Sequence, residues 1–144
     1  MKLILVHGKC KKDFTDEEDG EYCSYEEMID QIIPYVVENG FSHIELMPLT
    51  EFPFDGSWGY QATGYFSATS RYGNPKQLMA FINACHKAGI GVIMDFVPAH
   101  YVKDGHGLYK FDGGFVYDYP DINRRYTEWD SVILMLGVKK LEAF

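Results

Sequence analysis

The stretch that decides the fold reads Gly89-Ile90-Gly91-Val92-Ile93-Met94-Asp95-Phe96-Val97-Pro98-Ala99-His100. Its near-continuous apolar run predicts a strand buried on both faces, as in a parallel sheet. Asp95 ends the run, and His100 follows shortly after it. In strand–helix barrels the C-terminal ends of the strands, and the loops after them, carry the functional site. Asp95 and His100 are therefore candidates for polar chemistry at the mouth of a barrel.

Strands and helices alternate outward from this run. Residues 2–7 predict a first strand, and a helix begins at Ser24, where Glu27 completes a capping box. In that motif each of the two side chains accepts a hydrogen bond from the other residue's backbone N–H. Asn39-Gly40 ends the helix, and residues 41–47 form the second strand.

A second helix is predicted from Asn74-Pro75, because Pro is favoured at the first helical position. Helical spacing is expected to turn five of its apolar side chains inward: Leu78, Met79, Phe81, Ile82 and Cys85. Gly89 ends this helix, and the third strand follows directly. The alternation of three strands with two helices predicts an α/β fold with a parallel sheet and right-handed crossovers.

The composition excludes several classes of function. The formal net charge of -8 speaks against nucleic-acid binding, because phosphates demand a basic surface. The apolar run at residues 1–6 is too short for a secretory signal, and no run reaches membrane-spanning length. Three cysteines, Cys10, Cys23 and Cys85, lack metal-type spacing and predict reduced thiols in a cytoplasmic protein.

Two long connections interrupt the alternation, residues 48–73 and residues 98–129. Connections longer than about 12–15 residues are uncommon unless they are functional. Both are rich in aromatic side chains: Phe52, Phe54, Trp58, Tyr60, Tyr65, Phe66 and Tyr72 in the first, and Tyr101, Tyr109, Phe111, Phe115, Tyr117, Tyr119 and Tyr126 in the second. Aromatic rings suit sugar binding, since the apolar face of a pyranose packs on a ring. Alternatively, the rings form local cores that keep these long loops ordered.

Several ungapped segments carry a family resemblance. Phe52-Pro53-Phe54-Asp55-Gly56-Ser57-Trp58-Gly59-Tyr60-Gln61-Ala62-Thr63-Gly64 resembles the signature loop of bacterial 1,4-α-glucan (glycogen) branching enzymes. Residues 67–73 continue the match, residues 91–100 resemble the first conserved region of that family, and residues 104–113 resemble the segment that follows it. The resemblance is strongest over residues 24–119. The first strand and the segment from Trp129 to Gly137 depart from the family pattern.

The resemblance implies the catalytic (β/α)8 TIM barrel of the α-amylase clan. A whole barrel needs about 250 residues, so residues 1–144 are expected to form one truncated N-terminal portion with the first three strands and two helices. Branching enzymes cut an α-1,4-glucan and transfer the segment to a 6-hydroxyl, making an α-1,6 branch. The mechanism retains configuration and uses a carboxylate nucleophile and a carboxylic general acid. In the clan these groups come from later strands, so they are expected beyond Phe144 and the isolated chain is expected to be inactive.

The resemblance also assigns substrate-binding residues. Tyr60 would line the subsite of the cleaved glucose, His100 would hydrogen-bond the hydroxyls of that sugar, and Asp95 would organise the site. Trp58 and Gln61 complete the predicted set. The expected partners are α-1,4-glucan chains and the remainder of the barrel, in the cytoplasm, with no cofactor, nucleic acid or membrane.

Several polar residues also suggest other chemistries. His100 with His106 lacks the ligand set of a metal site, and Ala99 stands where many clan amylases carry a calcium-binding Asn, so no metal is predicted. Glu51 and Asp95 both follow predicted strand ends, which leaves a self-contained glycosidase pair open. The alternative function is a non-catalytic glucan-binding protein or a relic of the enzyme.

Overall fold

The computed structural model describes residues 1–6, 22–110, 112–128 and 130–135. The predictions made for His7, for Cys10 and for the chain after residue 135 lie outside these described residues. The chain divides into two compact units. Unit 1 comprises Met1–Leu49 and Ala68–Asp95, and unit 2 comprises Thr50–Ser67 and Phe96–Phe144.

The helices and strands follow in the order β1 (Leu3–Val6), α1 (Tyr25–Glu38), β2 (His43–Leu46), β3 (Thr50–Glu51), β4 (Gly64–Ala68), α2 (Pro75–Lys87), β5 (Gly91–Met94), β6 (His100–Tyr101), α3 (Ile122–Arg125) and β7 (Val132–Ile133). Two short 3-10 turns, Asp55–Ser57 and Ser70–Tyr72, lie on either side of β4.

Unit 1 is built on a three-stranded parallel sheet in the order β1-β2-β5. Ile44 of β2 lies opposite Ile4 on one side and Val92 on the other. The predicted succession of three parallel strands and two helices is therefore confirmed. The described strands form an open sheet rather than a closed barrel.

The predicted capping box at the start of α1 is present. The Ser24 hydroxyl accepts a hydrogen bond from the Glu27 backbone N–H at 3.2 Å. The Glu27 carboxylate accepts one from the Ser24 backbone N–H at 2.9 Å. Two N–H groups that the helix itself leaves unpaired are thus satisfied, which fixes where α1 begins.

Ser24→Ala is expected to lower the free energy of unfolding by about 1 kcal/mol, because the Glu27 N–H loses its acceptor. Urea denaturation followed by far-UV circular dichroism measures this loss. Ser24→Thr keeps a capping hydroxyl and should recover most of it. Equal stability of the Ala variant and the parent would show that this cap contributes nothing measurable.

Helix α2 begins as predicted, with Asn74 as its cap and Pro75 in its first turn. Leu78, Phe81 and Cys85 are buried against the sheet of unit 1. The prediction that Met79 faces inward is wrong, since this side chain is 68% exposed. Positions 78, 81, 82 and 85 share one helical face, and position 79 is rotated about 100° away from 78.

The core of unit 1 is formed by both helices, the sheet and the turn that precedes α2. Its buried members are Cys23, Tyr25, Met28, Val36, Ile44, Leu46, Leu49, Tyr72, Leu78, Phe81, Cys85 and Ile90. Cys85 carries a free, buried thiol, whereas Cys23 is disulfide-bonded. The expectation of reduced thiols throughout is therefore wrong for Cys23.

Unit 2 contains most of the two long connections and has a small core of its own. β6 pairs antiparallel with β7, with Tyr101 opposite Val132, and β3 pairs with β4. The core consists of Ala62, Tyr65, Tyr101, Val132 and Leu134. The local-core explanation of the loop aromatics is thus confirmed for Tyr65 and Tyr101, while Phe54, Trp58 and Phe66 are exposed.

Within the described ranges, no helix is long and apolar enough to cross a membrane. The same residues contain no group of three or more His, Cys, Asp and Glu side chains arranged to hold a metal ion.

Candidate functional site

The loop between Glu51 and Thr63 is closed at its base by backbone hydrogen bonds. The Thr63 N–H donates to the Glu51 carbonyl at 2.8 Å, and the Thr63 hydroxyl donates to the same oxygen at 3.3 Å. Phe52 and Ala62, just inside the closure, are 2% and 3% exposed. This is a compact surface loop whose two ends are held together and buried, so its tip is presented on a fixed base.

The tip of this loop carries two exposed aromatic side chains. Phe54 and Trp58 are 62% and 58% exposed, although rings of this size are usually buried. The Phe54 ring lies over Gly56, where a Cβ atom would come within 2.5 Å of the ring. Exposed rings on a rigidly anchored loop favour a binding role, because rigid scaffolds commonly position such loops for ligands.

The backbone of Trp58 is strained. Trp58 caps the 3-10 turn with φ 54° and ψ 25°, in the left-handed region that bulky residues avoid. Its N–H donates to the Asp55 carbonyl at 3.1 Å, which holds this conformation. Strain of this kind costs about 1–3 kcal/mol and clusters at functional sites, so it supports the prediction that Trp58 binds substrate.

Tyr60 and Gln61 follow on the same loop and are both half-buried. The Tyr60 N–H donates to the Ser57 carbonyl at 3.0 Å, which fixes the chain after the turn. Gln61 lines a cleft of about 280 Å³ in unit 2, together with Phe54, Val102, Lys103, Asp104 and Asp130. We call this feature the unit 2 cleft.

His100 lies on β6, also in unit 2, and its main chain is held by Tyr65. The Tyr65 hydroxyl donates to the His100 carbonyl at 2.5 Å. The Nδ1 atom of His100 is buried and makes no hydrogen bond within the described part of the chain. Burial lowers the pKa of the His100 imidazole, because a desolvated ring resists protonation. The ring is thus neutral at physiological pH and able to donate from one nitrogen and accept at the other.

This lowered pKa predicts a loss of stability in acid. The unfolded chain binds more protons than the folded chain between the folded-state pKa of His100 and about pH 6.5, so stability falls as the pH drops through that window. Urea midpoints measured at about pH 7.5, 6.5 and 5.5 should therefore decrease. His100→Gln, which does not titrate, should have a shallower decrease. Identical slopes for parent and variant would contradict the assignment.

A buried ion pair between Asp118 and Arg125 anchors Tyr101, the residue that follows His100 on β6. The Tyr101 hydroxyl donates to Asp118 Oδ1 at 3.2 Å, and Asp118 Oδ2 lies 3.3 Å from Arg125 Nε. Arg125 also donates to the carbonyls of Tyr119 and Pro120, at 2.8 and 2.5 Å. The exposed fractions of the Asp118 and Arg125 side chains are only 1% and 9%. Sequence inspection missed this network, because neither charge belongs to a recognisable motif.

Asp95 lies in unit 1, immediately after β5, and its N–H donates to the Leu46 carbonyl at 3.0 Å. Its position at the C-terminal end of a parallel strand is the predicted one. The structure places Trp58, Tyr60 and Gln61 on one loop, and this loop belongs to the same unit as His100. The substrate-binding roles of all five residues stay predictions.

Glu51, the other member of the glycosidase pair left open above, lies in unit 2, whereas Asp95 lies in unit 1. The Glu51 carboxylate accepts a hydrogen bond from the Phe52 N–H at 3.1 Å. The proposal that these two carboxylates act as a pair stays untested.

Comparison with known proteins places this chain in a family. The family model described as "Alpha amylase, catalytic domain" matches residues 12–112. The 1,4-alpha-glucan branching enzyme GlgB of Geobacillus stearothermophilus is 54% identical over 141 residues, which is 97% of this chain and 21% of that protein. The similarity therefore extends beyond residues 24–119. The chain spans about a fifth of the length of the curated relatives that it matches.

Solved structures agree on the fold. Amy13B of Eubacterium rectale superimposes with a TM-score of 0.61 at 26% identity, over 76% of this chain and 20% of that chain. The trehalose-6-phosphate hydrolase of Bacillus licheniformis superimposes with a TM-score of 0.63 at 20% identity, over 92% of this chain and 27% of that chain. The second likeness shows the fold alone.

Proposed function

This chain belongs to the alpha-amylase catalytic-domain family, and from that membership we propose that it is part of the catalytic barrel of a 1,4-α-glucan branching enzyme. The observation that carries the proposal is the 54% identity to a protein of that name along nearly the whole chain. That identity is more than twice the 20–26% that the chain shares with the two solved structures described above.

In this proposal the chain binds glucan rather than cleaving it. The exposed rings of Phe54 and Trp58 support contact with sugar faces. Half-buried, neutral His100 supports hydrogen bonding to sugar hydroxyls at the cleavage site. A carboxylate nucleophile and a carboxylic acid about 5–5.5 Å apart are needed for transfer with retention, and we assign both to later barrel strands outside this segment.

The sheet of unit 1 is a second observation in favour of the proposal, because, within the part of the chain that the structure describes, its two outer strands have unpaired edges to which further barrel strands can bind. Among the described strands, β5 pairs only with β2 and β1 pairs only with β2, so each has one unpaired edge. Apolar side chains on these edge strands are exposed, with Leu3 at 38% and Met94 at 47%. An uncovered parallel edge is a liability for a soluble protein. We propose that neighbouring strands of a whole barrel cover these edges in the cytoplasmic enzyme.

The test is made on the gene product that contains this chain, with amylose as substrate. Transfer conserves the number of reducing ends, whereas hydrolysis creates one at each cut. We expect iodine staining to fall and α-1,6 linkages to appear, without a matching rise in reducing ends. A rise in reducing ends without α-1,6 linkages would instead identify a hydrolase of the family.

The 144-residue chain, assayed in parallel, distinguishes the catalytic assignment from the glucan-binding alternative. We expect it to form no α-1,6 linkages, because the assigned carboxylates are elsewhere. Linkage formation by this chain alone would place a working carboxylate pair, such as Glu51 and Asp95, within it. Glucan binding by a gene product that never turns over amylose would favour the non-catalytic alternative.

A further inference from the structure

Both helices of unit 1 pack on one face of its parallel sheet. On that face Ile44 and Leu46 of β2 are buried in the core, with 0% and 3% of their surface exposed. Successive side chains of a strand point to opposite faces, so His43 and Glu45 lie on the other face, where both are half-buried. We call this other face the open face, and it includes the side chains of β2 and their neighbours in register: Leu3, His43, Glu45, Gly91 and Ile93.

The open face carries apolar side chains that need a cover. Leu3 is 38% exposed and Ile93 is half-buried, although parallel sheets are almost always covered on both faces. The chain spans about a fifth of the length of its curated relatives. A protein of that length has most of its residues outside this segment, and they can supply the cover.

The N-terminal end of the open face is already filled by the His43 ring. The Ser42 hydroxyl lies 2.8 Å from His43 Nδ1 and accepts a hydrogen bond from the Lys2 backbone N–H at 3.0 Å. The ring lies over Gly91, where a Cβ atom would come within 2.5 Å of it. This end of the face is therefore a fixed surface, and the next side chain of β2 on the same face is that of Glu45.

Glu45 gives the open face a negative charge. Among the described residues its carboxylate has no hydrogen bond or ion pair, and its neighbour in register on β5 is the aliphatic Ile93. A half-buried carboxylate is still hydrated, whereas a cover over Leu3 and Ile93 would remove that water. A buried carboxylate is costly unless it is paired with a positive charge. The cover is therefore required to bring a cation to Glu45.

We propose that the open face is covered by a segment of the gene product outside this chain, and that this segment brings a basic side chain to the Glu45 carboxylate. That the gene product is longer than this chain rests on the proposed function. In the covered state Leu3 and Ile93 pack against apolar side chains, and Glu45 forms a buried ion pair. The pair selects the covering segment, because an apolar or acidic side chain opposite Glu45 would leave its charge buried and unpaired.

The test compares Glu45→Gln in the gene product that contains this chain and in the 144-residue chain. In the gene product we expect the midpoint of thermal unfolding to fall by about 6 °C or more, because the buried cation loses its counter-charge. In the 144-residue chain, where Glu45 is half-buried, the shift should stay below about 2 °C. Glu38→Gln removes an exposed carboxylate at the end of α1 and is the matched control, with a shift below about 2 °C in both proteins.

A second substitution identifies the basic residue. In the Glu45→Gln gene product, each Lys and Arg outside this chain is changed in turn to Met. One of these changes should restore most of the lost midpoint, because neither charge is then left alone. A Glu45→Gln product that does not fold counts as the same loss, and the second substitution should then restore folding.

Three outcomes would overturn the proposal. These are an unchanged midpoint of the Glu45→Gln gene product, an equal loss in the 144-residue chain, and a scan in which no Met substitution restores the midpoint. An equal loss in both proteins would place the partner of Glu45 within this chain or in a second copy of it. Amylose branching by a gene product that is insensitive to Glu45→Gln would sink the ion pair but leave the proposed function intact. A restored ion pair in a gene product that only hydrolyses amylose would do the reverse.

Discussion

Asp118→Asn is expected to destabilise unit 2 by about 3–5 kcal/mol, because it leaves the Arg125 guanidinium buried without its counter-charge. The substitution keeps the side-chain size and an oxygen that can accept the Tyr101 hydroxyl hydrogen, so the loss reports on charge. The two charged groups are only 3.3 Å apart and almost fully buried. Arg125 cannot escape into water, since it also donates to two backbone carbonyls and stacks 3.7 Å from the Phe115 ring centre.

Tryptophan fluorescence during urea unfolding is the measurement for this variant, because Trp58 and Trp129 both fall within the residue range of unit 2. Asp130→Asn is the matched control. It removes the same charge from an ion pair with Lys103 whose Asp side chain is 83% exposed, and Asn tolerates the positive φ of 61° at this position. That change should cost less than about 1 kcal/mol.

A double-mutant cycle with Arg125→Met separates the ion pair from the other contacts of Arg125. We expect the double variant to be more stable than the sum of the single losses predicts, because neither buried charge is then left alone. Additive losses, or a loss no larger than that of Asp130→Asn, would show that the pair does not stabilise unit 2.

Local chemistry explains how much of unit 1 could be predicted from the sequence. The start of α1 follows from two side chains within one turn, Ser24 and Glu27, and the start of α2 follows from Asn74 and Pro75. The strand of residues 91–94 follows from an unbroken apolar run. Each signal lies within a few residues of the feature that it determines, so no knowledge of the tertiary structure is needed.

Unit 2 could not be predicted in the same way, because its order comes from distant contacts. β6 and β7 are two residues long and pair across about thirty positions of sequence, which is too short a pattern to show alternation. Tyr65 and Tyr101 are two of many aromatic residues in the long connections, and no local pattern indicates that the Tyr65 hydroxyl donates to the His100 carbonyl. The candidate residues were thus predicted from motifs, and the contacts that hold them were found only in the structure.

Phe81→Ala is expected to lower the free energy of unfolding of unit 1 by about 3–5 kcal/mol. Phe81 has no exposed surface, and its ring centre lies 6.3 Å from that of Tyr25 on α1. Truncation removes apolar contacts and leaves a cavity between the two helices and the sheet, since a packed interior relaxes only in part. Met79→Ala, two positions earlier on the same helix but 68% exposed, should change stability by less than about 0.5 kcal/mol.

Far-UV circular dichroism is the probe for this pair of variants, because α1 and α2 have 14 and 13 residues whereas α3 of unit 2 has only four. Equal losses for Phe81→Ala and Met79→Ala would contradict the burial of Phe81. The two probes together also measure how far the units depend on each other. If Phe81→Ala shifts the circular dichroism transition but not the fluorescence transition, unit 2 keeps its loop and His100 ordered without unit 1. If both transitions shift together, the stability of the residues in unit 2 that are predicted to bind glucan depends on the packing of Phe81 in unit 1.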